Sequence, residues 1–489
     1  MKNIFRKIRD YFGKGSFSAS QVTDYNNTIP REVSIYSSLK TLTIGRERLR
    51  AAYHNNDILK GALRALSTLT LGETGLRLDF AKGEGAASRN DMKKIRTLWS
   101  DFSESLIDSE RSVNLLGLQH QVMNSTLLDG FVFVQVLFSE TAPVVKIYTA
   151  EALAINLNAN LENGSKIRLG VEYDSNRIKK AYYIRMANPQ DNQLYQMLNF
   201  ADTIDSCIRF PIEDLQQIYL PERVALPFGI PYLFPSFLAV QSLTEFKHSE
   251  LNKQRLASSI NAFAVSDQIE SESPFADVAK QLETADDGAK AKISLPFSSV
   301  ERLRPGEKVE FPDAPRQVSL EEFCNTILMG LSMSTGISRE VLLMDFSRTS
   351  YSSSRMANIV NNKTLVLFRD QLIKSQLLNF ISSKFLDFHY LNGNVSSSAF
   401  KLRRNYTSPY MRSVDPVKEA KADEINVRTG TTSLTALIKS KGLNPEDVFS
   451  EIIEEREKYP EIFKFLADKN VGNENEDMEE NDDARPIEK

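Results

Sequence analysis

Between Pro235 and Gly336 the chain carries two helical patterns separated by a polar insert that itself holds strand-like runs, and no other feature constrains the fold as much. The first pattern, residues 236–265, has Lys247, Glu250, Lys253 and Arg255 at its polar positions. The second begins at Ser319, three residues before Glu322, the spacing of a capping box. Leu320, Phe323, Ile327 and Leu331 then form one apolar stripe, and Gly336 is well placed to end it. In the insert, residues 267–290 are polar and acidic. The run AKISLPFSSVERLRPGEKVEFPD (291–313) reads as short strands punctuated by a turn at Arg304-Pro305-Gly306. Two helices joined in this way suit a hairpin whose tip projects from a body. A strand such as Lys292 to Phe297 would leave an unpaired edge in a single copy, which a neighbour can cover. Head-to-tail contacts of that kind close by symmetry into a ring.

The rest of the chain reads as α+β. Residues 16–40 are rich in Ser, Thr and Asn and suggest an irregular arm. A helical pattern runs from Arg46 to about Leu71, broken at Gly72…Gly75 before a short strand, Leu76 to Phe80. Residues 87–107 place Met92, Ile95, Leu98, Trp99 and Phe102 at helical spacing, with Trp99 read as core. Phe131 to Phe138 is an apolar strand behind Asp129-Gly130, and 166–173 with 178–185 flank a polar DSNR turn as a hairpin. Helix and strand mix without a regular βαβ alternation. A polar loop, 337–352, follows the second helix of the hairpin and leads into a third, longer helix over about 353–388. Beyond Pro416 come two or three short helices, and seven acids in residues 474–483 mark a solvated, disordered tail.

At 489 residues the chain is too long for one core. Its net charge of -4 argues against a broad basic surface that coats nucleic acid, yet permits a channel that surrounds DNA without gripping it. Cys207 and Cys324 suit buried thiols in a reducing compartment. The start, MKNIFRKIRDYFGKG, is basic and amphipathic through Ile4, Phe5, Ile8 and Phe12, a peripheral helix or, on a second reading, a membrane-surface anchor. No phosphate-cradling loop ends in Gly-Lys-Ser/Thr, which disfavours an ATPase. His54, His120, His248 and His389 stand isolated, outside metal-ligand spacing. The run from Gly330 to Gly336 lacks the nucleophile-elbow spacing, and Ser37…Lys40 lacks its partner motifs. No catalytic residue, metal site or cofactor is expected.

Four segments in order resemble the lambda-type phage portal family. RERLRAAYHNNDILKGALRALSTLTLGETGLRL (46–78) is similar to its opening helix and Gly-containing exit. Gly229-Ile230-Pro231, followed by LFPSFLAVQSLTEFKHSELNKQRLASSINAF, resembles the run into its first stem helix. GISREVLLMDFSRTSYSSSRMA (336–357) resembles its most recognisable stretch, and DPVKEAKADEINVRTGTTSLTALIKSKGLNPEDVFSEIIEERE (415–457) its C-terminal pattern. The resemblance spans roughly residues 30–460. The sequence departs from the family at Phe228, where an Arg often stands, and within Gln217–Tyr219, where a His is common.

The resemblance implies a ring, usually of twelve subunits, that conducts DNA into and out of a capsid. It implies an arm (1–45), a mixed α/β wing (46–235) and a stem of two helices (236–265 and 319–336). A β-containing clip (266–318), a tunnel loop (337–352), a long connecting helix (353–411), an α-helical crown (412–470) and the acidic tail (471–489) complete it. Its expected partners are further copies of the chain, double-stranded DNA without sequence specificity, the terminase large subunit, the major capsid protein and scaffold, and a head-tail adaptor protein. The expected location is the capsid vertex of the virion, after assembly in the host cytoplasm. Sliding DNA needs weak, sequence-blind phosphate contacts. Arg339 and Arg348 are the candidates in the loop, with pairing to Glu340 and Asp345 between subunits as the competing role. Lys247, Lys253 and Arg255 are candidates for the pore wall or for intersubunit ion pairs. Arg302 and Arg304 are candidates for motor docking or solvated turn residues, and Ser352 to Ser354 for capping the following helix.

Overall fold

A computed structural model describes residues 35–81, 89–185, 202–222, 224, 226–259, 320–347, 349–410 and 415–461, with short strands at 263–264, 292–295 and 298–302. The chain divides into two compact units, residues 1–51 with 151–212, and residues 52–150 with 213–489.

Helix α1 (Ile35–Asn55) is followed by Asn56, which starts α2 (Asp57–Leu71). The extended backbone of Asn56 lets its Oδ1 accept from the amides of Ile58 and Leu59, both at 3.0 Å. Leu59, Leu63 and Leu66 face the core at helical spacing. Strand β1 (Arg77–Ala81) and α3 (Arg89–Glu104) come next, and Trp99 lies in the core edge-on to Phe80 and Phe385 at 5.7 and 5.0 Å. Helix α4 (Leu115–Asp129) ends at Gly130, where a left-handed turn (φ +89°) starts β2 (Phe131–Phe138), paired antiparallel with β3 (Pro143–Thr149). Strand β2 is apolar on both faces because it is central to its sheet and lies against α4.

The smaller unit holds a five-stranded antiparallel meander. Its strands are β4 (Ala159–Asn160), β5 (Lys166–Arg168), β6 (Val171–Tyr173), β7 (Lys179–Arg185) and β8 (Cys207–Pro211). The sequence suggested one strand over 166–173, but the chain folds back at Leu169-Gly170, both at positive φ. The reason is a close approach: a Cβ on Gly170 would lie 2.7 Å from the Ala154 carbonyl oxygen. The expected hairpin forms between β6 and β7, its turn held by Asp174 Oδ1 accepting from the amides of Asn176 and Ile178 at 2.8 Å each. Both cysteines are free thiols: Cys207 is buried with Ala154, Leu157, Ile167 and Tyr183, whereas Cys324, expected to be buried as well, is only partly so.

In the larger unit β9 (Leu215–Tyr219) is the other neighbour of β2, giving the order β3-β2-β9. The two backbones then cross at Gly130 and Gly229. A Cβ on Gly229 would stand 2.1 Å from the Gly130 carbonyl oxygen, so Gly229-Ile230-Pro231 tolerates no side chain at its first position. Phe228 is fully buried and stacks on Phe131 at 5.4 Å, which accounts for an apolar residue there in place of Arg.

Helix α5 (Phe234–Ser259) starts two residues earlier than its periodicity suggested, with Pro235 in the first turn, where proline costs no hydrogen bond. It leads to β10 (Phe263–Ala264), β11 (Lys292–Leu295) and β12 (Ser298–Arg302), ordered β10-β12-β11. Helix α6 (Leu320–Thr335) and the short α7 (Arg339–Leu343) follow, so the expected polar loop contains a helical turn. The expected third helix forms without interruption from Tyr351 to Leu391, as α8 (Tyr351–Phe368), a π-helical segment (Arg369–Leu378) and α9 (Asn379–Leu391). The widening begins at Arg369, a buried cation whose Nε donates to Thr70 O at 2.6 Å and Nη2 to Leu69 O at 2.9 Å. In the same segment Gln376 pairs with both backbone groups of Tyr219, at 2.9 Å each, and so covers part of the sheet edge. Strand β13 (Arg403–Thr407) pairs with β1, and α10 (Pro416–Arg428), α11 (Leu434–Ser440) and α12 (Pro445–Lys458) are capped by Asp415, Ser433 and Asn444. The proposed tail and most of the N-terminal arm lie outside the described residues.

Candidate functional site

Helices α5 and α6 form an antiparallel hairpin. The Ser236 and Ser334 hydroxyls are hydrogen-bonded, and the Phe246 and Phe323 rings meet at 4.6 Å. Residue numbers on α5 therefore rise as those on α6 fall. Val240, Leu243 and Leu331 are buried at the base of the hairpin, where Tyr232 Oη also donates to Thr335 O at 3.4 Å.

The loop leaving α6 is held by polar contacts at its root. Gly336 ends the helix at φ +70°, with its amide on Ser332 O at 2.9 Å. Its own carbonyl accepts from Thr364 Oγ1 at 3.2 Å. Buried Asn361 takes the Ser338 amide on Oδ1 at 2.8 Å and donates from Nδ2 to Ser338 Oγ at 3.2 Å. Helix α8 thus grips the first residues of the loop by two side chains one turn apart. At the far end Asp345 Oδ1 accepts from the amide and hydroxyl of Ser347, and Ser350 caps α8 by accepting from Ser353 N at 3.3 Å. The cap falls to Ser350 and not to Ser352–Ser354 because the helix already begins at Tyr351, which puts those serines inside its first turn.

The candidate cations are distributed along this hairpin and loop. Arg339 is half-buried, with Nη1 donating to Asn325 Oδ1 at 3.2 Å and Nε 3.9 Å from Glu340 Oε1. Glu340 is thus its partner within one chain. Antiparallel pairing sets Asn325 level with the turn of α5 just before Lys247. Lys247 and Arg255 are exposed on α5 two turns apart. Arg348, Arg304 and Ser319 of the proposed capping box lie outside the described residues, as do the side chains of Lys253 and Arg302. The structure brings Arg339 to the flank of α6 and leaves Lys247 and Arg255 exposed on α5; it does not join them in one cluster.

Large apolar side chains stand exposed around these elements in a single copy: Met329 and Met333 (85% exposed) on α6, Phe346 in the loop, and Met356, Ile359 and Val360 on α8. Such density exceeds the scattered apolar residues of an ordinary surface. Sequence reasoning missed Asn361 and Arg369. The available signal was an Asn pair, 361–362, inside an apolar helix, where asparagine is disfavoured unless bonded.

The four histidines remain apart. His389 is buried against Phe385 and Phe388, and burial, with Lys94 adding to it, lowers its pKa. Among the described residues no His, Cys, Asp and Glu cluster could hold a metal, and no helix is long and apolar enough to cross a membrane.

The family model described as "Phage portal protein, lambda family" matches residues 29–367, well over half of the chain. A probable portal protein of Halomonas phage phiHAP-1 is 22% identical over 450 residues, covering 88% of this chain and 82% of its own. Among solved structures, the neck of an empty gene transfer agent particle computed with C6 symmetry is similar with a TM-score of 0.43 and 12% identity, over 85% of this chain and 95% of its own. The neck of a native particle computed with C12 symmetry gives 0.42 and 10%, over 81% and 92%. With the family match spanning the hairpin, its loop and most of α8, the chain belongs to the lambda family of phage portal proteins, structural components of phage-like particles.

Proposed function

We propose that this chain is the portal-vertex subunit whose copies close into a ring, twelve on the family pattern, around a channel for double-stranded DNA. In this reading α5 and α6 are the stem lining the channel, residues 337–352 the tunnel loop, and residues 266–318, with β11 and β12, the clip. Residues 46–235 form the wing, 353–411 the connecting helix and 412–470 the crown. Arg339 and Arg348 approach phosphates from the loop, and Lys247, Lys253 and Arg255 from the stem. Twelvefold repetition turns each into a ring of charge that contacts DNA phosphates weakly and without regard to sequence.

The clip, with Arg302 and Arg304, docks the terminase large subunit during packaging. The head-tail adaptor takes that end later, and the wing and crown meet the major capsid protein and scaffold. Assembly takes place in the host cytoplasm, and the finished ring sits at the capsid vertex.

The observation that carries this reading is the apolar surface flanking the hairpin: Met329, Met333, Met356, Ile359 and Val360 need a cover, and an identical neighbour supplies one repeatedly. The edge strand β11 has one side unpaired among the described residues, in keeping with clip-to-clip contact. Negative-stain images of purified full-length protein test it. Annular particles with a central hole are expected, and globular monomers at every concentration overturn it.

A further inference from the structure

A cavity of about 390 Å³ lies between α2 and α4, and none of its lining residues belongs to the hairpin or the loop. Tyr53, Lys60, Arg64, Ser67, His120 and Asn124 line it. Lys60 and Arg64 stand one turn apart on α2, and among the described residues neither forms an ion pair. Like charges at this spacing repel each other by a few tenths of a kcal/mol. Lys60 Nζ lies over the face of Tyr53, 6.0 Å from the ring centroid. Asp57, the one acid at the rim, is turned to the amide of Ile58 at 2.9 Å.

The floor is polar as well. Ser67, itself buried, is 3.0 Å from His120 Nδ1. With the Ser67 hydroxyl as donor, the neutral imidazole carries its proton on Nε2 and is a second donor. Burial lowers the His120 pKa, which keeps it neutral near pH 7 while the cavity is empty. Asn124 lines the same space; its Oδ1, an acceptor, is buried without a hydrogen-bond partner, and the group it can offer an anion is the Nδ2 donor of the same amide. One point charge, one planar fork and neutral donors on two packed helices match a tetrahedral oxyanion better than a planar carboxylate, which an Arg alone would satisfy.

We propose that this cavity is a binding site for a phosphate group, held by Lys60 and Arg64 with the His120 Nε2 and Asn124 Nδ2 donors beneath, Ser67 fixing the imidazole. The site is distinct from the channel residues and does not depend on them. Its volume falls in the range of sites for whole small molecules, so the phosphate belongs either to a nucleic-acid backbone or to a free phosphate compound.

The test uses the full chain in its native assembly, at low ionic strength, with two probes: inorganic phosphate by calorimetry and a short labelled duplex by anisotropy. Wild type is expected to bind phosphate, and the exposed pair Lys60→Glu with Arg64→Glu to weaken it at least about tenfold. The pair Lys93→Glu with Lys94→Glu on α3, equal in charge change, should leave phosphate binding intact. The His120 ring signal should titrate at higher pH once phosphate is added. Duplex binding lost together with phosphate binding assigns the site to a DNA phosphate; duplex binding retained assigns it to a free one. Absence of phosphate binding in wild type, equal weakening by the control pair, or an unmoved His120 titration overturns the proposal.

Discussion

Replacing Arg369 with methionine removes a charged clamp from the core of the larger unit. The guanidinium is 4% exposed and donates to Thr70 O, to Leu69 O and, from Nη1, to Asn362 Oδ1 at 3.3 Å. The two carbonyls belong to the last turn of α2, which has no intrahelical partners for them. Hydrogen bonds from a charged donor are worth about 1.5–3 kcal/mol each, a gross loss of roughly 4–9 kcal/mol. Methionine recovers the cost of burying the cation, several kcal/mol. Burial acts on the guanidinium itself, pushing its pKa below the ordinary value. The difference is a net loss of about 2–4 kcal/mol. Lysine retains the charge but presents a single ammonium in place of the fork, and should lose most of the same stability. Hydrogen–deuterium exchange reads the effect locally: amides of 57–71 and 369–378 should exchange at least about 30-fold faster in Arg369→Met, while those of β5 to β8 stay unchanged. Unaltered exchange at the end of α2 would refute the clamp.

Other outcomes follow from the same geometry. Gly229→Ala forces a methyl group against the Gly130 carbonyl and should cost about 1–3 kcal/mol or more, whereas Gly330→Ala, with open space around it in α6, should be neutral or stabilising by up to about 1 kcal/mol; thermal unfolding of the pair checks the contrast. Because its folded pKa is depressed, His389 contributes stability that is present above the unfolded value near 6.5 and lost as pH falls through the folded value, so His389→Phe should flatten the acid side of a stability–pH profile. Asn361→Leu leaves the Ser338 amide without its acceptor and should raise exchange in residues 337–343 while α5 is unaffected. Arg96→Ala removes the contacts of that side chain to Asp79 and Glu446, so exchange in 445–458 should rise, less so at high salt.

The helical hairpin was legible because apolar residues at helical spacing determine which face is buried, and because Gly336 can adopt a backbone other residues avoid. Trp99 and the β6–β7 turn were legible for similarly local reasons. The fold-back at Leu169-Gly170 was not, since its cause is the Ala154 carbonyl across the unit. The π-helical segment, Arg369 and Gln376 were also hidden: their partners lie 157 to 300 residues away, and periodicity carries no information about such pairings. The sequence offered Arg339 as a candidate cation in the loop but not Asn325, the side chain its guanidinium meets on α6.

A three-dimensional reconstruction of the assembled full-length protein by electron cryomicroscopy tests the central claim most directly. The account predicts a closed ring with α5 and α6 of every copy around an axial opening wide enough for a DNA duplex, and with Met333 and Ile359 covered by the next subunit. Density with α5 and α6 facing outward, or an assembly lacking a through-going opening, contradicts it.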